Sequence, residues 1–460
     1  MLNPPNHALV RVACVAITLV LGSAGTTHVY ALDSIDLVGA FRQGIINDPI
    51  FLSAGAANRA AQELIPQAEA ALLPEVNMSS ALRANARRDY RAGFSSRSSP
   101  KRDTFFTGNL TLNLTHPIYR QDLRIQVNQA NTQVARADAQ FAFSLQDLIV
   151  RVADRYFGVL AADDALEFAQ AEKTAIEQQL TQSQQRFEVG LIAITDVEEA
   201  RAGFDLATAQ VIAAENNIAG AYEALREVTG TYQRALWQLG EDMPPLVVPQ
   251  PNNIDAWTET ALEQNRELEA ARLQVANQRD EIRRVEAGHL PTVNVVGSSG
   301  VNFQSGNASS NSRRWDSSFG LQLNLPIYRG GLVLSQSRGA QHQHQQALED
   351  QEQQRRATQR LARDSFRGVL SGISQVKALK QAVKSANSAL EAIEAGFQVG
   401  TRTSVDVLNA QRELFRTQRD YSQARYDYIL NILRLKQAAG TLAPPDLVQV
   451  NDWLRSDTKS

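Results

Sequence analysis

Two spacings of apolar residues alternate along the chain. In the second half, Val376, Val383, Leu390 and Phe397 recur every seventh residue, and Leu379, Ala386 and Ile393 form a second row three residues out of phase. That is an a/d seam, so it predicts helices that pack side by side as coiled coils. The rest of that surface is Gln, Lys, Ser and Glu, a wet face suited to bulk solvent or a water-filled interior. Elsewhere the period is two. Over Thr104–Thr115, Phe106, Gly108, Leu110, Leu112 and Leu114 alternate with Thr107, Asn109, Thr111, Asn113 and Thr115. Trp315–Leu325 alternates likewise, with Trp315, Phe319, Leu321, Leu323 and Leu325 on one side. Val76–Tyr90 and Val293–Phe303 alternate less cleanly, and polar loops Arg91–Arg102 and Gln304–Arg314 join the segments as two hairpins.

Proline outlines where the helices run. It is absent from Ile118–Met243 and from Ile327–Ala443, both rich in Ala, Gln, Glu, Arg and Leu. Proline costs ~3 kcal/mol inside a helix, so these gaps predict long ones. A helix over Gln121–Glu188 would span roughly 100 Å at 1.5 Å per residue, with Gly158, Gly190, Gly203, Gly220 and Gly230 punctuating the block. No compact globule needs such a length.

The two halves are copies. Phe187-Glu188-Val189-Gly190 answers Phe397-Gln398-Val399-Gly400, Asp196-Val197 answers Asp406-Val407, and Thr229-Gly230 answers Ala439-Gly440, always 210 residues apart. Leu73-Pro74-Glu75-Val76-Asn77 is matched by Leu290-Pro291-Thr292-Val293-Asn294, and His116-Pro117-Ile118-Tyr119-Arg120 by Leu325-Pro326-Ile327-Tyr328-Arg329. An internal duplication of this period is a property of the architecture. It divides the chain into a first repeat 32–243, with its hairpin at about 75–117 and long helices 118–240, and a second repeat 254–443, with its hairpin at about 292–326 and helices 327–440. A linker 244–253 joins the repeats and a tail 444–460 closes the chain. Residues 1–31 read as an export signal: Arg11, an apolar core Val12–Leu21, then small residues to Val29-Tyr30-Ala31.

Composition narrows the chemistry. No apolar run reaches the ~20 residues of a spanning helix, and mean hydropathy is -0.29. The strands do have the outer-membrane signature of apolar and polar faces, and four are too few for a water-filled barrel, so a barrel must be shared between chains. The net charge of -3 argues against nucleic acid as a partner. The single Cys14 lies in the export segment and excludes disulfide and Cys-ligated metal frameworks. His342 and His344 are two apart on a helix and diverge. No nucleophile elbow, P-loop or HExxH pattern occurs, so nothing supports an enzyme. Arg83, Arg87, Arg88, Arg91, Arg97, Lys101 and Arg102 make the first hairpin tip basic, which reads as a solvated loop beside anionic lipid headgroups.

Together these features resemble the TolC family of outer-membrane efflux proteins, over nearly all of Asp33–Leu442. The strongest stretches are Gln185–Arg201, Gly288–Val295, Leu325–Gly331 and Glu394–Asn409, including Val189-Gly190-Leu191-Ile192-Ala193-Ile194-Thr195-Asp196-Val197 and Val399-Gly400-Thr401-Arg402-Thr403-Ser404-Val405-Asp406-Val407-Leu408. The resemblance implies a mixed α/β membrane protein. A long coiled-coil periplasmic tunnel would continue a twelve-stranded outer-membrane barrel that three chains share, four strands each. An equatorial band would form from Glu241–Asn253 and the tail after Ala443. Function would be that of a passive exit duct for tripartite efflux or type I secretion. Its implied partners are its own copies, a periplasmic adaptor (membrane fusion) protein, an inner-membrane RND or ABC exporter and outer-membrane lipid. No cofactor, metal or nucleic acid is implied. From the residues alone, a trimeric adhesin or solid coiled-coil stalk with a barrel anchor is the alternative.

By the same resemblance, helix-hairpin turns fall at Phe187–Asp196 and Phe397–Asp406. Gly190, Leu191, Gly400 and Thr401 would meet the adaptor there. A periplasmic gate would use Thr195, Asp196, Phe397 and Arg402 as ties and Asp406 and Asn409 as rings at the constriction. Two positions depart from the family pattern. Phe397 replaces a tyrosine and offers Asp196 no hydroxyl. Asn409 replaces an aspartate, which halves the formal charge of the constriction.

Overall fold

The computed structural model describes residues 34–89, 101–233, 235–240, 246–306 and 311–455. The export segment 1–31 and the loop residues 91–100 lie outside them. In chain order the elements are helices α1 (Leu37–Asn47), α2 (Pro49–Gln62) and α3 (Leu64–Ala70), strands β1 (Glu75–Asp89) and β2 (Lys101–Tyr119), and long helices α4 (Gln121–Glu188) and α5 (Ile194–Thr229). After the two-residue strand β3 (Gln238–Leu239) the plan repeats. Helices α6 (Ile254–Gln264) and α7 (Arg266–Glu286) lead to strands β4 (Thr292–Gly306) and β5 (Ser312–Asn324), then to long helices α8 (Leu332–Gln398) and α9 (Ser404–Ala438). A short helix α10 (Pro444–Asn451) and strand β6 (Leu454–Arg455), paired with β3, end the described chain.

The duplication extends to the helix caps. The side chains of Asp36 and Asp48 cap α1 and α2, and those of Asn253 and Asn265 cap α6 and α7, each accepting from backbone N–H groups of the first turn. The 68 residues of α4 and 67 of α8 run unbroken. Gly158, Gly203 and Gly220 do not interrupt their helices, unlike Gly190 and Gly230, which take positive φ at helix ends. A glycine inside a helix costs only ~1 kcal/mol, small against the packing of such long helices. Gly203 serves a close approach, since a Cβ there would lie 2.9 Å from the Arg412 guanidinium.

Helix α4 packs on α5, α7 and α9, and α8 packs on α7 and α9. The large side chains gather midway along the long helices. Leu148, Val152 and Tyr156 of α4, Val369 and Val376 of α8, and Tyr428 and Leu433 of α9 meet α1 and α10 there. The Tyr156 hydroxyl sits between the Ile35 and Trp237 carbonyls (3.1 and 2.8 Å), its one hydrogen shared by the two acceptors, and ties the segment before α1 to the segment after α5. Toward the far end of α8, Val383, Ala386, Leu390 and Ile393 are only half-buried, because one neighbouring helix covers one side of the stripe.

The four long strands form one antiparallel sheet in the order β1-β2-β4-β5. They run 13 to 19 residues, longer than a ~9–11-residue span of the bilayer, so they extend beyond it. The register lines Val76, Leu114, Gly297 and Phe319 across one face and Asn77, Asn113, Ser298 and Ser318 across the other. Phe319, Leu321, Leu323 and Met78 are all more than two-thirds exposed on the apolar face. At Gly108 a Cβ would strike the ring of Phe303, which lies over it, so the glycine makes room for the aromatic. Of the basic residues expected in the first hairpin tip, Arg83, Arg87 and Arg88 belong to β1 and Lys101 and Arg102 to β2, so β2 runs further than the pattern predicts. Arg83 lies opposite Thr107, on the polar face. No helix among the described residues is long and apolar enough to cross a membrane.

Candidate functional site: the two helix-hairpin tips

At the first tip α4 ends at Glu188, and Gly190 turns the chain with φ +75°. Its N–H donates to the Phe187 carbonyl and the Leu191 N–H to the Arg186 carbonyl, both at 2.9 Å, a Schellman closure that only glycine adopts without strain. The second tip repeats this. Gly400 has φ +79°, its N–H donates to the Phe397 carbonyl (3.2 Å), and the Thr401 N–H and hydroxyl both reach the Gly396 carbonyl (2.8 and 3.0 Å). Val189, Leu191 and Val399 stand at least 70% exposed, so both tips end in apolar caps.

The helices leaving the tips start differently. Ala193 precedes α5 and offers no side-chain cap. Thr403 precedes α9 and forms a reciprocal box: the Asp406 N–H donates to Thr403 Oγ1 (3.2 Å), and the Thr403 N–H and hydroxyl donate to Asp406 Oδ2 (2.9 and 3.0 Å). The Thr403 backbone donor, then its hydroxyl, with the nearby Arg402 charge adding to them, hold the Asp406 carboxyl below the usual aspartate range.

Phe397 is buried, and the Arg186 guanidinium lies over its ring, 4.3 Å from the centroid. This contact joins the last turn of α4 to the last turn of α8. A polar cluster lies beside it: Gln179 Nε2 donates to Ser404 Oγ (3.1 Å), and the Ser183 and Ser404 hydroxyls are 3.3 Å apart, all three residues buried. Ile176 of α4, Ala200 and Ala207 of α5 and Leu408 of α9 form one apolar cluster, in which the two alanines let α5 approach closely.

Of the gate residues read from the sequence, the chain brings together Arg402 and Asp406, and it places Asn409 one turn beyond Asp406 on the same helix. It does not bring Arg402 to Thr195 or Asp196 to Phe397. Thr195, Arg402 and Asn409 are exposed, Asp196 and Asp406 are half-buried, and the Arg402 stem lies against Gly396. Sequence reading passed over Thr403, Arg186, Gln179, Ser183 and Ser404. The Thr403-x-x-Asp406 spacing is a legible capping box. Arg186 and the serines had no such signal, because their partners lie on helices far away in the chain.

Unbroken paired helices, two glycine-turned tips and an amphipathic sheet recur in known proteins. The sequence profile described as "Outer membrane efflux protein" matches residues 41–231 and 257–441. The chain belongs to the outer membrane efflux protein family. It is 38% identical to the outer membrane protein TolC of Vibrio cholerae over 91% of this chain and 94% of that one. It is 36% identical to TolC of Escherichia coli over 91% and 85%. Against the alkaline protease secretion protein AprF of Pseudomonas aeruginosa it is 30% identical over 90% and 86%. Among solved structures, CusC shares the fold with a TM-score of 0.74 at 18% identity, covering 89% of this chain and 93% of that one. As a member of the outer membrane efflux protein family, the chain resides in the outer membrane and has the architecture of an exit duct, a long helical tunnel continued by strands.

Proposed function

We propose that the protein is a homotrimeric exit duct for tripartite efflux or type I secretion, opened at its helix tips by a periplasmic adaptor and an inner-membrane RND or ABC exporter. The observation that carries this is the sheet. It is apolar on one face and polar on the other, and the outer edges of its end strands β1 and β5 find no partner among the described residues. Unpaired edges are not tolerated in lipid, where each unsatisfied backbone group costs several kcal/mol. Pairing β5 of one copy with β1 of the next satisfies both edges and turns the polar faces inward. Names given to relatives, TolC and alkaline protease secretion protein, fit a duct that takes its cargo from whatever pump engages it.

In this reading the export signal 1–31 is removed, repeats 32–243 and 254–443 each supply one β-hairpin and one helical hairpin, and the linker 244–253 and tail 444–460 form the equatorial band. The apolar tips around Gly190, Leu191, Gly400 and Thr401 receive the adaptor. Thr195, Asp196, Phe397 and Arg402 hold the closed gate, with Asp406 and Asn409 at the constriction. The test is the mass of the detergent-extracted protein together with its current across a planar bilayer. A trimer with discrete conductance steps is expected. A trimer that never conducts would make it a solid stalk, and a monomer would overturn the shared barrel.

A further inference from the structure

The polar face of the sheet is not uniform along the strands. One row, Asn77–Asn113–Ser298–Ser318, carries only Asn and Ser. Over the next three rows toward the hairpin loops the face becomes charged. The register aligns Ser79, Thr111, Gly300 and Asp316, then Ala81, Asn109, Asn302 and Arg314, then Arg83, Thr107, Gln304 and Ser312. Two arginines therefore stand against one aspartate. Arg83 and Arg314 are exposed and make no ion pair among the described residues, whereas Asp316 already accepts from Asn302 Nδ2 at 3.5 Å. A groove of about 760 Å³ runs between them, and Arg83, Thr107, Asn109, Asn302, Arg314 and the Asp316 carboxylate are among its lining. Apart from the Asp316 carboxylate, its polar side chains are donors or can act as donors, and the guanidinium fork matches the two oxygens of a carboxylate or phosphate.

From this we infer that the loop-proximal end of the duct carries a basic collar that binds anionic groups, carboxylates and phosphates, as solutes pass out. The inference rests on the shared-barrel reading, which turns this face inward. Arg83 is on β1 and Arg314 on β5, the two edge strands. Closing the barrel therefore sets the arginines of neighbouring copies on either side of each new seam. A water-filled wall with one sign of charge in excess concentrates ions of the opposite sign within about a Debye length, ~8 Å at physiological salt. The collar is opposite in sign to the Asp406 position at the far end of the tunnel. The duct would then discriminate at two places by two different charges.

Planar-bilayer recording of the full-length protein tests this, with inositol hexaphosphate as the anionic probe added from the side of the strand loops. The double variant R83Q/R314Q is expected to weaken block by the probe about tenfold at moderate salt, and to shift the reversal potential in a KCl gradient toward potassium. R83K/R314K should retain the parent's ion preference, and D316N should tighten the block. Channels of R83Q/R314Q with normal conductance, unchanged block and unchanged reversal potential would overturn the collar and leave the duct standing. A parent protein that forms no channel would overturn the duct, and the collar with it.

Discussion

Replacing Phe397 with alanine should loosen both helix tips at once. The ring is 6% exposed, one position from the end of α8, and carries the Arg186 guanidinium 4.3 Å from its centroid. Burying a phenylalanine side chain is worth about 1.5–3 kcal/mol by area. The cation–π contact adds about 0.5–1 kcal/mol at a site this close to water. The sum stays below the cost of a sealed-core cavity, because the neighbouring Phe187, Val189 and Val399 are exposed and water can fill the dent. A loss of about 2 kcal/mol or more raises local opening roughly thirtyfold. The assay is hydrogen exchange of the amides in 187–197 and 397–407. Exchange there should speed up by at least tenfold, while the core around Tyr156 and Tyr428 is unaffected. A double-mutant cycle with Arg186→Gln isolates the ring–guanidinium term, expected at about 0.5–1 kcal/mol. In the bilayer the Phe397→Ala channel should show raised resting current. Unchanged exchange at the tip of 187–197 would refute the reasoning, since it would mean that Phe397 holds nothing on α4.

Asp406→Asn should nearly abolish block by a trivalent cation added from the periplasmic side, and Asn409→Asp should strengthen it; equal block in parent and Asp406→Asn would remove Asp406 from the constriction. Because Thr403 holds the Asp406 carboxyl below its ordinary value of 3.8, the charge and the block should survive as pH falls through that value. The cap's contribution to stability, full above the unfolded pKa, should likewise be lost only as pH falls through the lower folded one; block that titrates at or above 3.8 would contradict this. A Cβ at Gly190 or Gly400 meets nothing within 4 Å, so the main cost of Gly190→Val and Gly400→Val is backbone strain, roughly 1–2 kcal/mol at positive φ. Both should abolish export while the protein still reaches the outer membrane, and full drug resistance in both strains would count against the tips as the docking site. Ser404→Val leaves the Gln179 amide and Ser183 hydroxyl unpaired in a buried site, a loss of about 1–3 kcal/mol. A melting temperature equal to the parent's would show that this cluster does not hold α4 to α9.

Much of this protein is written in features that need no tertiary contact. Proline exclusion limits where a helix can continue, so the bounds of α4 follow from Pro117 on one side and Gly190 on the other. The strands β2 and β5 follow from alternation, because period two assigns each residue to a face whatever the sheet packs against. The turns at Gly190 and Gly400 follow from a repeated glycine that the left-handed conformation demands. The repeat itself set α8 and α9 beside α4 and α5 as equivalents. The pairing of elements from different repeats was decided by the folded chain. That β2 joins β4 and that α4 meets both α7 and α9 depend on contacts between residues more than a hundred positions apart, which leave no period in a single sequence. The gate region divides the same way. Thr403 and Asp406 are three residues apart and could be read as a cap, whereas Arg186 finds Phe397, and Gln179 finds Ser404, only because two separately encoded hairpins end at the same level. Local sequence set each helix's length and end. The apolar stripes that those helices must hide from water decided which ends met.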